Sequence, residues 1–300
     1  YMHLYLYGIG QGVLHPITQG EWEVTDFVGL RGDKVYYIST ESSPLKRDLY
    51  RVGLDGKHKE RLTPGDGYYS IYPSADLSYY ICEGGDSSAP GRTDVFNAAG
   101  KRVRTLYDNA PLKEALVEAG LPVREFFTFT TERGDELNGY MLKPLDFDPA
   151  KRYPVLLTQY SGPGSQQVAE GWGPDWEDAL VTHGYIVVCV DPRGTGYRGE
   201  EFKKLTYGNL GRLEVEDQIS TARYMARQSY VDPARIGIYG WSYGGFMALG
   251  CAFRGEGLFK MAIAVAPVTS WRYYDSIYTE NFNGLPDDYP KGYDDNSPVN

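Results

Sequence analysis

Residues 236–249, IGIYGWSYGGFMAL, join a strand signal to a helix signal through a serine flanked by glycines. Ile236–Tyr239 has the composition of a short buried strand, and residues 244–249 have that of a helix start. Between them, Gly240–Gly244 fits the pattern G-x-S-x-G, in which a serine occupies a sharp turn between a strand and a helix. Neighbours without a Cβ let the chains pass closely there. We therefore predict that Ser242 is a nucleophile above a helix N-terminus that favours negative charge.

Strand and helix signals alternate on both sides of this turn. Buried strands are predicted at Pro154–Tyr160, Tyr185–Asp191, Arg235–Tyr239 and Met261–Ala266. A helix is predicted at Leu213–Gln228, and a hairpin-like pair at Glu125–Thr131 and Leu137–Leu142. Such alternation predicts a doubly wound, mostly parallel sheet whose sites lie at the carboxyl ends of its strands. We assign residues 109–300 to an α/β-hydrolase domain.

The first hundred residues repeat. His3-Leu4-Tyr5 recurs as Asp48-Leu49-Tyr50 and, more loosely, as Asp94-Val95-Phe96, with steps of 45 (49 − 4) and 46 (95 − 49) residues. A step of this length with several strands is typical of β-propeller blades, although an ordinary antiparallel sheet is the alternative. We predict that residues 1–108 are the last two to three blades of a propeller. A ring needs typically about four to eight blades, so further blades are expected before Tyr1.

Composition excludes several classes of function. The net charge of −10 argues against nucleic acid or an anionic membrane surface as the main partner. The longest apolar runs, Tyr185–Val190 and Met261–Val268, are too short for a membrane span, and no secretion signal is visible. Cys82, Cys189 and Cys251 form neither a disulfide framework nor a zinc-site spacing. We predict no metal and no cofactor, and expect Cys189 to be a small buried residue.

A serine nucleophile also needs an oxyanion hole. One donor would be the backbone N–H of Tyr243, directly after the serine. The second usually comes from the loop after the third strand, here residues 160–165, YSGPGS, which lacks the histidine–glycine-rich form of lipases. Tyr160 could donate through its hydroxyl instead. Tyrosines at strand ends are common, so these residues alone leave the second donor open.

Several motifs accompany the serine turn in chain order. They are Tyr160-Ser-Gly-Pro, DPRGTGY at 191–197, EVEDQI at 214–219, VAPV at 265–268 and WRYYDSIYTE at 271–280. With them the chain resembles the dipeptidyl peptidase IV branch of the prolyl oligopeptidase family of serine peptidases, and most of all its bacterial members. The resemblance covers nearly all of residues 109–300 and, more loosely, the repeats.

This resemblance implies an α/β-hydrolase domain capped by an eight-bladed propeller, and the removal of N-terminal dipeptides after proline or alanine. It implies that Ser242 is the nucleophile and that Tyr160 and Tyr243 form the oxyanion hole. An aromatic box suits a flat, rigid, apolar ring. The residues implied to surround the proline ring are Tyr243, Val268, Trp271, Tyr274 and Tyr278. From spacing alone, one face of a helix packed in the core is the favoured interpretation of Trp271, Tyr274 and Tyr278.

The base that should activate Ser242 is missing from the sequence after it. In α/β-hydrolases the order is Ser, then Asp, then His. The chain has four histidines, all before Ser242: His3, His15, His58 and His183. His183 should close a helix away from the nucleophile, and Asp294-Asp295 is interpreted as loop. We therefore expect an internal piece of a longer enzyme, truncated before the triad Asp and His and inactive by itself.

The sequence is also compatible with two other functions. The pair of glutamates that binds the substrate amine in this family has no counterpart, because Glu200-Glu201 is interpreted as an exposed helix start. A prolyl tripeptidyl peptidase shares the same pocket and turn. A non-catalytic scaffold protein is the alternative of another class. Expected partners are peptides with Pro or Ala next to the scissile bond. Family habit implies a homodimer for the full-length protein and a periplasmic or secreted location in a bacterium.

Overall fold

The computed structural model describes residues 1–300, and the chain separates into two compact units. Unit 1 consists of Tyr1–Leu121 with the short segments Ala169–Gly173 and Tyr197–Glu200. Unit 2 consists of Pro122–Val168, Pro174–Gly196 and Glu201–Asn300. Helix α1 (Ala110–Ala119) thus falls in unit 1, whereas the boundary predicted from the sequence lies at 108/109. The side chain of Asn109 ties the start of α1 to unit 1 by donating to the carbonyl oxygen of Gly91 at 2.7 Å.

Unit 1 is built from antiparallel strands. A hairpin pairs β1 (Tyr5–Gly8) with β2 (Gly12–Pro16). The first four-stranded sheet contains β3 (Val24–Arg31), β4 (Lys34–Ser39), β5 (Asp48–Gly53) and β6 (Glu60–Arg61). The second contains β7 (Tyr68–Pro73), β8 (Tyr79–Gly85), β9 (Arg92–Asn97) and β10 (Arg102–Tyr107). The two sheets share a core that includes Leu49, Tyr80 and Phe96.

The sequence repeats occupy equivalent places in the two four-stranded sheets. Residues 48–50 open β5 and residues 94–96 lie in β9, each the third strand of its sheet. Gly56 and Gly100 both adopt φ 76° in the turn after that strand, a conformation that favours glycine. Two four-stranded sheets and a hairpin therefore stand where the sequence predicts two to three blades, and these sheets do not close into a ring.

Unit 2 contains a six-stranded sheet in the order β11-β12-β14-β13-β15-β16. Its strands are β11 (Glu125–Thr130), β12 (Glu136–Leu142), β13 (Tyr153–Thr158), β14 (Ile186–Asp191), β15 (Val231–Trp241) and β16 (Met261–Val265). The last four of these strands are parallel, and β11 and β12 form the antiparallel edge. The mostly parallel sheet predicted from the sequence is present. Residues of β14 are buried along the whole strand, as expected for a parallel strand covered on both faces.

Helices connect these strands. They are α2 (Glu177–Thr182), α3 (Glu200–Lys204), α4 (Leu213–Ala226), α5 (Tyr243–Arg254), α6 (Ser276–Asn283) and α7 (Pro290–Asp294), with a 3₁₀ turn at Trp271–Tyr273. Helices α4 and α5 pack against β15. Glu200-Glu201 opens α3 as predicted, but Glu200 falls in unit 1, while Glu201 lies in unit 2 and is exposed. No helix combines the length and the apolar character needed to cross a bilayer. All three cysteines are buried and unpaired.

Candidate active site

Ser242 lies in the turn between β15 and α5, in an unusual backbone conformation. Its φ of 57° and ψ of −115° belong to a region that residues with a side chain rarely adopt. Two backbone hydrogen bonds hold it there: Ser242 N–H donates to the Val265 carbonyl at 2.9 Å, and the Ser242 carbonyl accepts from Phe246 N–H at 3.1 Å. The serine is half-buried, and its hydroxyl makes no hydrogen bond within the chain. The sequence pattern therefore corresponds to a strained strand–helix turn.

The glycines around Ser242 are required because another segment passes close to them. A Cβ on Gly240 would lie 2.1 Å from the carbonyl oxygen of Gly244. A Cβ on Gly244 would lie 2.4 Å from the carbonyl oxygen of Gln159, just after β13. Neither distance is tolerable for a carbon atom. The end of β13 thus packs directly against the serine turn, which brings the residue after Gln159 to the site.

That residue is Tyr160, one of the two predicted oxyanion donors. Its backbone N–H donates to the side-chain oxygen of Gln167. Its ring lies over Gly162, where a Cβ would stand 2.5 Å from the ring carbon Cε1. The ring centroids of Tyr160 and Tyr243 are 6.1 Å apart. The structure therefore places the rings of the two predicted residues next to each other.

Tyr243 is the first residue of α5, so its backbone N–H has no acceptor within the helix. Its side chain points inward, and the hydroxyl donates to Glu214 Oε1 at 2.6 Å. The second oxygen of Glu214 accepts from Gly211 N–H at 3.0 Å. Burial raises the pKa of Glu214 to about 7, against the hydrogen bonds from Tyr243 and Gly211 that lower it. Burial, followed by the charge of Glu214, also raises the pKa of Tyr243 well above its usual value.

The residues predicted to surround a proline ring form one aromatic cluster. The rings of Trp271 and Tyr278 are stacked with centroids 6.1 Å apart, and Tyr274 meets them edge-on at 5.9 and 5.6 Å. Tyr243 lies 5.6 Å from Trp271, and Val268 is buried in the same core. Trp271 is buried with its indole N–H unpartnered, whereas Tyr274 is 42% exposed. The cluster is thus open on one side.

The alternative of a single helix face is wrong for these rings. Trp271 lies in the 3₁₀ turn, Tyr274 is extended at φ −90° and ψ 166°, and Tyr278 lies in α6. The helix begins only after Asp275, whose side chain accepts from Tyr278 N–H at 2.8 Å. Spacings of three and four therefore arise here from a turn followed by a helix.

A cavity of about 260 Å³ adjoins the serine turn on the side of Trp241. Among its lining residues are Tyr160, Gln167, Trp176 and Glu177. The buried carboxyl of Glu177 accepts from the hydroxyls of Thr158 at 2.6 Å and Tyr140 at 2.9 Å. Burial raises its pKa despite these bonds. This acid could not be predicted from the sequence, because only the fold turns the first residue of α2 inward.

His183 and Asp294, which the sequence argues against as members of the triad, bond to other residues in the structure. His183 follows α2, and its Nδ1 lies 2.7 Å from the Ala179 carbonyl of its own helix. Asp294 ends α7 instead of lying in a loop, and it pairs with Arg272 through two bonds of 2.6 and 2.7 Å. That pairing lowers the pKa of Asp294. No three His, Cys, Asp or Glu side chains gather where a metal ion would bind.

Two regions of the chain match models of known protein families. Residues 172–300 match the model of the prolyl oligopeptidase family. Residues 1–90 match the dipeptidyl peptidase IV N-terminal region. The part assigned to the prolyl oligopeptidase family contains Ser242 and the whole aromatic cluster, whereas Tyr160 lies just before it.

Proteins named dipeptidyl-aminopeptidase B and dipeptidyl peptidase 4 align over nearly the whole chain. It is 42% identical over 290 residues to dipeptidyl-aminopeptidase B of Aspergillus niger, which covers 94% of this chain and 32% of the relative. It superimposes on the crystal structure of Porphyromonas gingivalis dipeptidyl peptidase 4 with a TM-score of 0.94 at 44% identity, covering 99% of this chain and 42% of that one. The chain spans about a third of the length of the curated relatives it matches.

Proposed function

We propose that this chain supplies the nucleophile, the oxyanion hole and the proline pocket of a serine exopeptidase that releases N-terminal dipeptides after proline or alanine. The observation that carries the proposal is the strained backbone of Ser242 at the strand–helix turn. Strain of this kind is retained mainly at functional sites. The names of the similar proteins, dipeptidyl-aminopeptidase B and dipeptidyl peptidase 4, support a dipeptidyl product. The structural match to the Porphyromonas gingivalis enzyme supports a bacterial type, whereas the curated relatives, such as that of Aspergillus niger, are fungal.

The chemistry proposed is acyl transfer through Ser242. Its Oγ attacks the carbonyl carbon of the second substrate residue while a base takes its proton. The N–H of Tyr243 and the hydroxyl of Tyr160 donate to the oxyanion that forms. The C–N bond then breaks, the leaving amine takes the proton, and water hydrolyses the ester. Loss of one oxyanion donor in such a site costs about 10²–10³ in kcat.

The aromatic cluster is proposed as the pocket for the second residue of the substrate. Trp271 and Tyr278 present stacked rings, and Tyr274 lies at the exposed edge. Burial raises the pKa of Tyr278, so the phenol stays neutral and compatible with an apolar ring. A pocket bounded by rigid rings admits a proline or an alanine side chain and excludes larger ones.

We further propose that the triad Asp and His, and the glutamates that bind the substrate amine, come from residues outside these 300. His183 contacts its own helix, and the contacts of His3 and His15 are to Thr18, Gly20 and Leu54 in unit 1. Nucleophile and base act as a unit, and loss of the base costs orders of magnitude in rate. The isolated chain should therefore be inactive.

The test uses the full-length gene product that carries this chain. We expect hydrolysis of a glycyl-prolyl chromogenic substrate, labelling by a fluorophosphonate, and loss of both in Ser242→Ala. A preference for a tripeptidyl proline substrate would replace the dipeptidyl assignment. Absence of labelling in a folded wild-type protein would contradict the enzyme and favour a scaffold. Full turnover by the isolated 300 residues would contradict the proposal of an external base.

A further inference from the structure

Besides Thr221, helix α4 buries three polar side chains that the proposed chemistry does not use. Glu214, Asp217 and Gln218 are fully buried and lie three and four residues apart, on one face of the helix. A buried polar group is costly unless it is hydrogen-bonded. All three find partners outside the helix, in the segments that carry or adjoin the proposed site residues.

Gln218 connects α4 to both neighbours of Tyr160. Its Nε2 donates to the Val190 carbonyl at 3.0 Å and to Ser161 Oγ at 3.3 Å. Ser161 Oγ donates in turn to Gln159 Oε1 at 2.8 Å, and Gln159 Nε2 donates to the Gly244 carbonyl at 2.8 Å. A continuous chain of buried hydrogen bonds thus runs from α4, past Tyr160, to the helix that follows Ser242.

Tyr160 depends on such bonds because it lies outside regular structure. Strand β13 ends at Thr158, two residues earlier. Ser161, directly after Tyr160, has φ 65°, in the left-handed region where a residue with a side chain is strained. In this conformation the hydroxyl of Ser161 is bonded to both Gln218 and Gln159, so the residue directly after Tyr160 is tied to α4.

Asp217 braces the same loop from its other end. It accepts from the backbone N–H of Arg193 at 2.8 Å and from the guanidinium at 2.6 to 3.1 Å. The next residue, Gly194, accepts from Gly164 N–H at 2.8 Å. Gly164 belongs to the loop after Tyr160, so that loop is fixed at two points from one helix.

Glu214 holds the other proposed donor residue. The hydroxyl of Tyr243 donates to it at 2.6 Å, and its second oxygen accepts from Gly211 N–H at 3.0 Å. The ring of Tyr243 is buried and fixed at both ends, at the backbone by α5 and at the hydroxyl by α4. Its N–H therefore keeps one direction relative to Ser242.

We propose that the buried polar face of α4 (Glu214, Asp217 and Gln218) positions the two oxyanion donors, the Tyr160 hydroxyl and the Tyr243 N–H, relative to each other. This inference rests on the proposed function, which assigns those donors. A donor acts only at about 2.7–3.1 Å from the oxyanion, and a misplacement of about 1 Å can cost about 10²-fold in rate. The three residues are positioning residues, because none of them touches the reacting atoms.

The test is a double-mutant cycle in the full-length protein. We expect Gln218→Met to lower kcat about tenfold with KM changed by less than about twofold, because the Tyr160 hydroxyl acts in the transition state. Tyr160→Phe should lower kcat about 10²-fold or more. In the Tyr160→Phe background, Gln218→Met should change kcat by less than about twofold, because its effect passes through the missing hydroxyl.

Thr221→Val is the matched control. Thr221 is buried in the same helix, and its hydroxyl donates only to the Asp217 carbonyl, at 2.9 Å. It should lose stability without a selective loss of kcat. Equal effects of Gln218→Met in both backgrounds, or an unchanged kcat, would overturn the inference.

If Gln218→Met does not fold, Ser161→Ala removes the same link and enters the same cycle. An inactive wild type would overturn the proposed function together with the inference. Suppose that the wild type is active and Ser242→Ala is not, but that the effects of Gln218→Met and Tyr160→Phe on kcat are additive. That result would overturn the inference alone.

Discussion

The hydroxyl of Tyr243 and the carboxyl of Glu214 meet at 2.6 Å in a site closed to water. Tyr243 directly follows the nucleophile, whereas Glu214 lies 29 residues earlier in the chain. Water is thus absent where a carboxylate would normally be solvated, and the acid favours its protonated form. One contact links the serine turn to α4 and also makes the stability of that link depend on pH.

The first prediction concerns this pH dependence. Burial, with a smaller contribution from the charge of Asp217, raises the pKa of Glu214 from its ordinary 4.5 to about 7, against the hydrogen bonds from Tyr243 and Gly211 that lower it. A folded-state pKa above the unfolded one gives a stabilisation that is complete below about pH 4.5 and lost as the pH rises through about 7. Glu214→Gln should remove this dependence, at most about 1.4 kcal/mol per pH unit. The free energy of unfolding, measured between about pH 4.5 and about pH 8, checks it.

Glu201→Gln serves as the control for that experiment, because Glu201 is an exposed carboxylate on α3. It should leave the slope of stability against pH unchanged. The charged groups that face Glu214 are Asp217 and Arg254, and both are retained in each variant. A slope in Glu214→Gln equal to that of the wild type would contradict the assignment of the titration to Glu214.

The second prediction concerns the strain at Ser242. Because φ 57° and ψ −115° suit glycine better than any residue with a Cβ, Ser242→Gly should relieve strain that Ser242→Ala retains. Both variants lose the nucleophile. We expect Ser242→Gly to be more stable than Ser242→Ala by about 1 kcal/mol, a difference measurable by denaturant unfolding. Equal stability, or a less stable glycine variant, would argue that the turn is not strained.

Local pattern was sufficient to predict the elements around Ser242. The strand before it, the helix after it and the glycine requirement follow from residues within a few positions of one another. In the same way, the repeat near 45 residues predicted repeated units of several strands, and the structure places its copies at 48–50 and 94–96 in the third strand of each four-stranded sheet. The observed β15 begins at Val231, four residues before the predicted Arg235, because strand ends are set by neighbouring strands.

Contacts between distant residues could not be predicted in this way. Gln218 bonds to Ser161, 57 residues away, and the sequence signal is only a polar residue on the buried face of a helix. The interpretation of the aromatic cluster as one helix face was wrong for a related reason. Asp275 after Tyr274 is a good N-cap and marks a new helix start, so this signal could have excluded one continuous helix face.

The third prediction tests the close packing behind the serine turn. Gly244→Ala places a Cβ 2.4 Å from the Gln159 carbonyl oxygen. Because that oxygen is a backbone atom, the clash can be relieved only by a shift of the main chain. In the full-length protein we expect a loss of stability of about 1–3 kcal/mol and a fall in kcat of about tenfold or more. Gly173→Ala is the control, since nothing lies within 4 Å of a Cβ there. A thermal midpoint and kcat of Gly244→Ala like those of Gly173→Ala would contradict the packing.

The fourth prediction tests the aromatic cluster as the proline pocket. Tyr278 contributes a ring stacked on Trp271, and Tyr278→Ala removes one wall of the proposed pocket. A proline ring uses that wall more fully than an alanine methyl does. The ratio of kcat/KM for proline over alanine substrates of the full-length protein should therefore fall about 10- to 100-fold. Tyr273→Ala removes a neighbouring tyrosine that is 89% exposed and should leave the ratio unchanged. If the ratio survives in Tyr278→Ala, the pocket lies elsewhere, because losing a wall of the true pocket must penalise the larger ring more.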